Sequence, residues 1–137
     1  MPKLENYRYP DQFGKLLGYK IKNLDRKKHF AEGVIQLRKE HLSPAKRVHG
    51  GVVSAFFDFV AGAAVFSTLG PRDFCSTVEI KVNYLRPLLL GDELVAKVRV
   101  IFRGKRVCVV HGFAYRNGEK DPVAMATATF NVVMADV

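Results

Sequence analysis

Residues 47–66 read RVHGGVVSAFFDFVAGAAVF, the most apolar stretch of a 137-residue chain, and they hold a single acidic side chain, Asp58. Val, Ala and Phe at nearly every position predict a helix that is apolar almost all round and therefore buried. Two glycines stand at its start, and Gly70-Pro71 is expected to stop it. Residues 52–69 reach the minimum length of a membrane span. Asp58 near the centre, together with Ser54, Ser67 and Thr68, argues against that reading, because a charge at mid-bilayer costs a few kcal/mol.

Downstream of this helix every segment reads as strand: residues 75–85 (CSTVEIKVNYL), 92–102 (DELVAKVRVIF), 106–116 (RVCVVHGFAYR) and 122–134 (PVAMATATFNVVM). Arg103-Gly104-Lys105 and Asn117-Gly118 are hairpin signals, so the strands they join are expected to be antiparallel neighbours. Upstream, residues 19–24 and 30–38 also alternate, and residues 10–17 (PDQFGKLL) predict a short helix weakened by Gly14. The breaker-rich run HLSPAKRVHGG, residues 41–51, is expected to be loop. A long helix against a curled antiparallel sheet of five to six strands is an α+β arrangement, and 137 residues suit one domain spanning residues 1–137. One helix cannot cover such a sheet, so pairing with a second copy is expected.

Lys and Arg number 22 against 13 Asp and Glu, a net charge of +9 that attracts anionic ligands. The basic residues are scattered, without the aromatic interleaving or Cys/His framework of a nucleic-acid module, which leaves nucleic acid a minor reading, and a phosphorylated small molecule fits the charge equally well. Cys75 and Cys108 each fall in a strand-like run and lack CxxC spacing, which suggests neither a zinc site nor a disulfide and points to a reducing, cytoplasmic setting. The opening residues, MPKLENYRYPDQF, lack the apolar core of a signal peptide.

His49-Gly50-Gly51, then Asp58 in an apolar helix, then Thr77-Val78-Glu79-Ile80-Lys81-Val82-Asn83-Tyr84-Leu85-Arg86-Pro87 and Gly91-Asp92 resemble a known pattern. It is that of the hotdog-fold acyl-CoA thioesterases of the phenylacetate-pathway type, in the 4-hydroxybenzoyl-CoA thioesterase superfamily. The likeness runs from residue 10 to residue 133 in the order helix, strands, HGG loop, long helix, four strands. It implies a central helix wrapped by an antiparallel sheet, a homodimer that joins the two sheets and often a dimer of dimers. It also implies hydrolysis of an acyl-coenzyme A thioester with neither metal nor cofactor. In that pattern Asp58 resembles the nucleophile or general base, Gly50 the backbone N–H donor to the thioester carbonyl, and His49 its supporting histidine. Thr77 is similar to a hydroxyl that helps hold the attacking water. Ser43 departs from the pattern, because many relatives carry Asn or Gln at that position, and a hydroxyl is shorter than an amide. Either water fills the gap, or turnover is slower or shifted to another substrate.

The chemistry suits these residue types. A thioester carbonyl gains negative charge on attack, and an N–H at a helix start stabilises it, while glycine at Gly50 and Gly51 lets the carbonyl approach the backbone. Asp58 among Phe56, Phe57, Phe59 and Val60 should lose hydration and strengthen as a base. Arg86, Arg103, Lys105 and Arg106, on loops, are candidates to bind the coenzyme's phosphates. Each has a plainer reading: a simple glycine turn, a buried Asp bonded for structure, a histidine that only holds the turn, a solvated basic cluster. Asp58 follows Gly50 by eight residues, which on one helix is about 12 Å, too far to share one carbonyl. The two must therefore meet from different chains if both take part in one reaction. Two other functions share the architecture, an acyl-thioester dehydratase and a non-catalytic acyl-CoA-binding or regulatory protein. The missing His-Phe-Pro-Gly type run argues against the first, and Ser43 is the feature that favours the second.

Overall fold

The computed structural model describes residues 11–134. In chain order the elements are α1 (Gln12–Leu17), β1 (Lys20–Asp25), β2 (Phe30–Gln36), a 3-10 turn (Lys39–His41), α2 (Gly50–Phe66), β3 (Phe74–Tyr84), β4 (Glu93–Arg103), β5 (Val107–Arg116) and β6 (Ala124–Val133). Pro10, with which the expected amino-terminal helix began, lies outside the described residues. Asp11 caps α1 by accepting from the Gly14 N–H at 2.8 Å.

The six strands form one antiparallel sheet in the order β1-β2-β4-β5-β6-β3, and α2 packs on every one of them. Both expected hairpins are present, β4 to β5 and β5 to β6. In the second, Asn117 and Gly118 take φ of 51° and 71° in a tight turn closed by the Glu119 N–H on the Arg116 carbonyl, and residues 119–123 complete the link to β6. The equally short link RPLLLG is not a hairpin: β3 and β4 do not pair, and this segment carries the chain from the sheet's β3 edge to its interior.

Side-chain size explains how closely the sheet wraps the helix. The helix-facing residues of β6 are Ala124, Ala126, Ala128, Phe130 and Val132, all buried. A Cβ on Gly33 of β2 would lie 2.4 Å from Cγ2 of Val60 on α2, so the sheet bends onto the helix where a side chain is missing. Val52, Val53, Phe56, Phe57, Val60, Ala61, Ala63, Ala64 and Val65 fill the core from α2. The opposite stripe of the helix, Gly51, Ser54, Ala55, Asp58, Phe59, Gly62 and Phe66, recurs at helical spacing and is exposed or half-buried. The helix is thus not buried all round, as its composition predicts, and its acid lies on the open stripe.

β3 departs from the alternation TVEIKV. Thr77 lies opposite Phe130 and Glu79 opposite Thr129, leaving Val78 as the extra residue of a β-bulge, 62% exposed. Below the bulge Thr77 shares a face with Phe130, and above it Tyr84 shares a face with Ala124, so both point to the helix layer. Without the extra residue, an odd-numbered and an even-numbered position of one strand would face opposite ways. Among the described residues β3 pairs with β6 alone and forms an edge of the sheet.

Candidate active site

Two groups of polar atoms lie along α2. The first is at mid-helix, where Thr77 Oγ1 donates to Asp58 Oδ1 at 2.6 Å. The pair stands at the lip of a cleft of about 350 Å³ whose walls include Phe59, Phe66, Phe74, Cys75 and Phe130. Of the apolar neighbours expected around Asp58, only Phe59 lines this cleft, because Phe56, Phe57 and Val60 turn to the core side. Burial pushes the Cys75 thiol up to about 11, with Cys108 and the Asp58 carboxylate adding to the effect, so it stands in the wall as a neutral, unreactive group.

The second group is the start of the same helix. His49 is the N-cap: its Nδ1 accepts from the Gly51 N–H at 3.1 Å, which fixes the neutral ring with its proton on Nε2. The Gly50 carbonyl accepts from the Tyr84 hydroxyl at 2.8 Å. The Gly50 N–H, a first-turn donor without an intrahelical acceptor, has no hydrogen-bond partner among the described residues. Gly50 lines a groove of about 370 Å³ together with Arg47, Val53, Tyr84, Arg86 and Leu88. A helix start of this kind, with one unused N–H, is suited to holding a carbonyl oxygen as it becomes negative.

The remaining candidates are dispersed. Ser43 lies in the loop closed by the Leu42–Val48 bridge, where its N–H donates to the Arg47 carbonyl at 2.7 Å and its own carbonyl accepts from the Lys46 N–H at 2.9 Å. Its hydroxyl makes no hydrogen bond to Asp58, His49 or Gly50. Arg86 pairs with Asp121 at 3.5 Å beside the groove. Arg103, Lys105 and Arg106 belong to the β4–β5 hairpin at the other end of α2, where Arg103 Nε donates to Thr68 Oγ1 at 2.9 Å and Nη1 to the Gly104 carbonyl. No group of three or more His, Cys, Asp and Glu among the described residues is arranged to hold a metal ion, and no described helix is long and apolar enough to cross a membrane.

Two residues not singled out in the sequence support the helix start. His41 is buried: its Nδ1 accepts from the Arg38 N–H at 3.0 Å, its Nε2 donates to the Leu17 carbonyl at 2.8 Å, and its own carbonyl accepts from the His49 N–H at 2.8 Å. Tyr84 is the other. It belongs to the quoted run that ends in Pro87, but a tyrosine at a strand end reads as an ordinary strand former.

Residues 45–123, more than half of the chain, match the thioesterase superfamily, and the chain belongs to it. It is 25% identical over 135 residues to a candidate esterase of Archaeoglobus fulgidus, covering 98% of this chain and 84% of that protein. To a candidate esterase of Saccharolobus solfataricus it is 39% identical over 85 residues, 62% of this chain and 55% of that protein. A crystal structure of a candidate thioesterase from Ralstonia eutropha, a phenylacetic acid degradation-related protein, is similar at 30% identity and TM-score 0.84, over 93% of this chain and 95% of that one. The Escherichia coli PaaI protein of the phenylacetic acid degradation operon (22% identity, TM-score 0.82, 91% and 86% covered) and a Haemophilus influenzae thioesterase (21%, 0.86, 97% and 92%) share the architecture. The fold is the α+β hotdog fold.

Proposed function

We propose that the protein is an acyl-CoA thioesterase working at composite sites between two copies of the chain. The observation that carries this reading is the Asp58 carboxylate, held at 2.6 Å by the Thr77 hydroxyl on the open stripe of a helix whose own first N–H is unused. Eight residues separate the two groups, about 12 Å along the axis, so neither can serve the other's carbonyl. A second copy removes that conflict. Thr77 and Tyr84 lie toward opposite ends of β3, beside Asp58 and Gly50 respectively. Antiparallel pairing of two β3 edges about a two-fold axis sets the Asp58 end of one chain against the Gly50 end of the other, twice. The edge invites such pairing, since Phe74 and Val78 are 58% and 62% exposed and the outer side of the strand pairs with no other strand among the described residues.

In this reading Asp58 attacks the thioester carbonyl carbon, or deprotonates a water that attacks it, with Thr77 fixing the carboxylate. The carbonyl oxygen takes up the electron pair and is held by Gly50 of the partner subunit. Collapse of the tetrahedral adduct breaks the C–S bond, and coenzyme A leaves as a thiolate that takes a proton. Where Asp58 itself attacks, water then hydrolyses the anhydride. His49 holds the Gly51 N–H and so the start of the helix, and Gly51 leaves room beside Gly50. Arg86 borders the carbonyl groove, and the same two-fold pairing carries Arg103, Lys105 and Arg106 toward the groove of the partner subunit, where the phosphates would lie. A dimer of two such dimers is the assembly expected.

Ser43 favours a second reading, a protein that binds acyl-CoA without cleaving it, because its hydroxyl reaches neither group. Thiol release from acetyl-, palmitoyl- and phenylacetyl-CoA by the wild type and Asp58→Asn decides. Turnover by the wild type, cut about 10²–10⁴-fold in folded Asp58→Asn, supports hydrolysis. Equal turnover removes Asp58 from the reaction, and binding without turnover by the wild type supports the second reading.

A further inference from the structure

The Gly50 Cα joins two peptide units, and each is tied. The His49–Gly50 unit, which carries the unused N–H, is held through the His49 carbonyl by the Val52 N–H at 3.0 Å. The Gly50–Gly51 unit is held at its N–H by His49 Nδ1 at 3.1 Å and at its carbonyl by the Tyr84 hydroxyl at 2.8 Å. Only the last of these ties comes from outside the helix and its cap. Two consecutive glycines give a helix start its greatest freedom to fray, so the direction of the free N–H depends on restraints that side chains elsewhere supply.

We infer that Tyr84 is a positioning residue that aims the Gly50 N–H at the thioester carbonyl, an inference that rests on the thioesterase reading. The bulge at Val78 turns Tyr84 toward α2, and its ring lies against the glycine: a Cβ on Gly50 would sit 3.3 Å from Tyr84 Cζ and 3.4 Å from its Oη. The ring is thus part of the groove wall beside Gly50, and the space it leaves toward Arg47 and Arg86 is where the substrate would enter. Tyr84 is 54% exposed, and a hydrogen bond of that kind adds little to folding. Its value lies in geometry, since an oxyanion donor works only when held in place before the reaction.

Tyr84→Phe removes the hydroxyl and keeps the ring. On the best substrate of the acyl-CoA panel, kcat should fall about tenfold with KM changed less than about twofold. Hydrogen exchange at the Gly51 amide, read by NMR on the protein alone, should speed up at least about fivefold while the melting temperature stays within about 2 °C. Unchanged kcat overturns the inference whatever the exchange does. Unchanged exchange overturns it even where kcat falls, and a fall in kcat matched by loss of fold shows a merely structural role and overturns it too. A wild type that cleaves no thioester sinks the thioesterase reading and this inference with it, whereas failure in Tyr84→Phe alone leaves that reading standing.

Discussion

Thr77 gives its hydroxyl proton to Asp58 at 2.6 Å across the gap between an edge strand and the central helix. The contact fixes one carboxylate oxygen and, in the proposed reaction, leaves the other for a water or a carbonyl carbon. Thr77→Val keeps the shape of the side chain and frees the carboxylate to rotate. Its kcat should drop about ten- to a hundredfold with a stability change under about 1 kcal/mol, and Thr77→Ser should restore most of the rate. Steady-state kinetics beside a urea titration check it, and equal loss in the serine variant would assign Thr77 to packing.

His49 caps the helix through a ring nitrogen, a role that the amide oxygen of asparagine also performs. His49→Ala should cost about 1 kcal/mol of unfolding free energy and His49→Asn much less. If both variants fold as stably as the wild type but lose turnover alike, the imidazole acts on the substrate.

Two strand glycines leave no room for a side chain, Gly33 against the helix and Gly112 against the neighbouring strand β4. A Cβ at position 33 would press Val60 at 2.4 Å, and one at position 112 would meet the Lys97 carbonyl oxygen at 2.6 Å, a backbone atom that cannot swing aside. Gly33→Ala should destabilise by about 1–3 kcal/mol and Gly112→Ala by at least as much. Chemical denaturation measures both.

Burial keeps Cys75 protonated, its titration moved from 9.0 to about 11, and burial likewise raises Cys108. At pH 8 a shift of that size leaves about a hundredfold fewer thiolates at Cys75, so alkylation of the folded protein should be slow and should accelerate on unfolding. The folded chain holds a proton that the unfolded chain releases above pH 9, so stability should fall as pH rises from 9 toward 11. Cys75→Ala should flatten that slope, and an unchanged slope would show that other groups set it.

The sequence discloses the elements because their periods are strong: the apolar run of α2 and the alternation of all six strands appear within a few residues of their observed ends. The resemblance picks out Asp58, Thr77 and Gly50 as candidates, and the structure brings the first two together at 2.6 Å. The sequence conceals what depends on chain segments meeting in space. TVEIKV alternates without a break, so nothing local announces that Val78 is extra. RPLLLG is as short as a hairpin link yet crosses the end of the sheet. Tyr84 and His41 matter through bonds to backbone atoms 34 and 24 residues away, which no local pattern encodes.

The bulge at Val78 divides β3 into two halves that are out of step, and each half serves one of the two polar groups of α2. Deleting that one valine would leave composition and apolar content almost untouched, yet it would rotate either Thr77 or Tyr84 to the outer surface. Swapping segments among relatives by counting along the alignment would carry the same hazard, since a strand of equal length without the insertion is of the wrong phase. The reading frame of a single edge strand thus decides whether the carboxylate and the amide are both equipped.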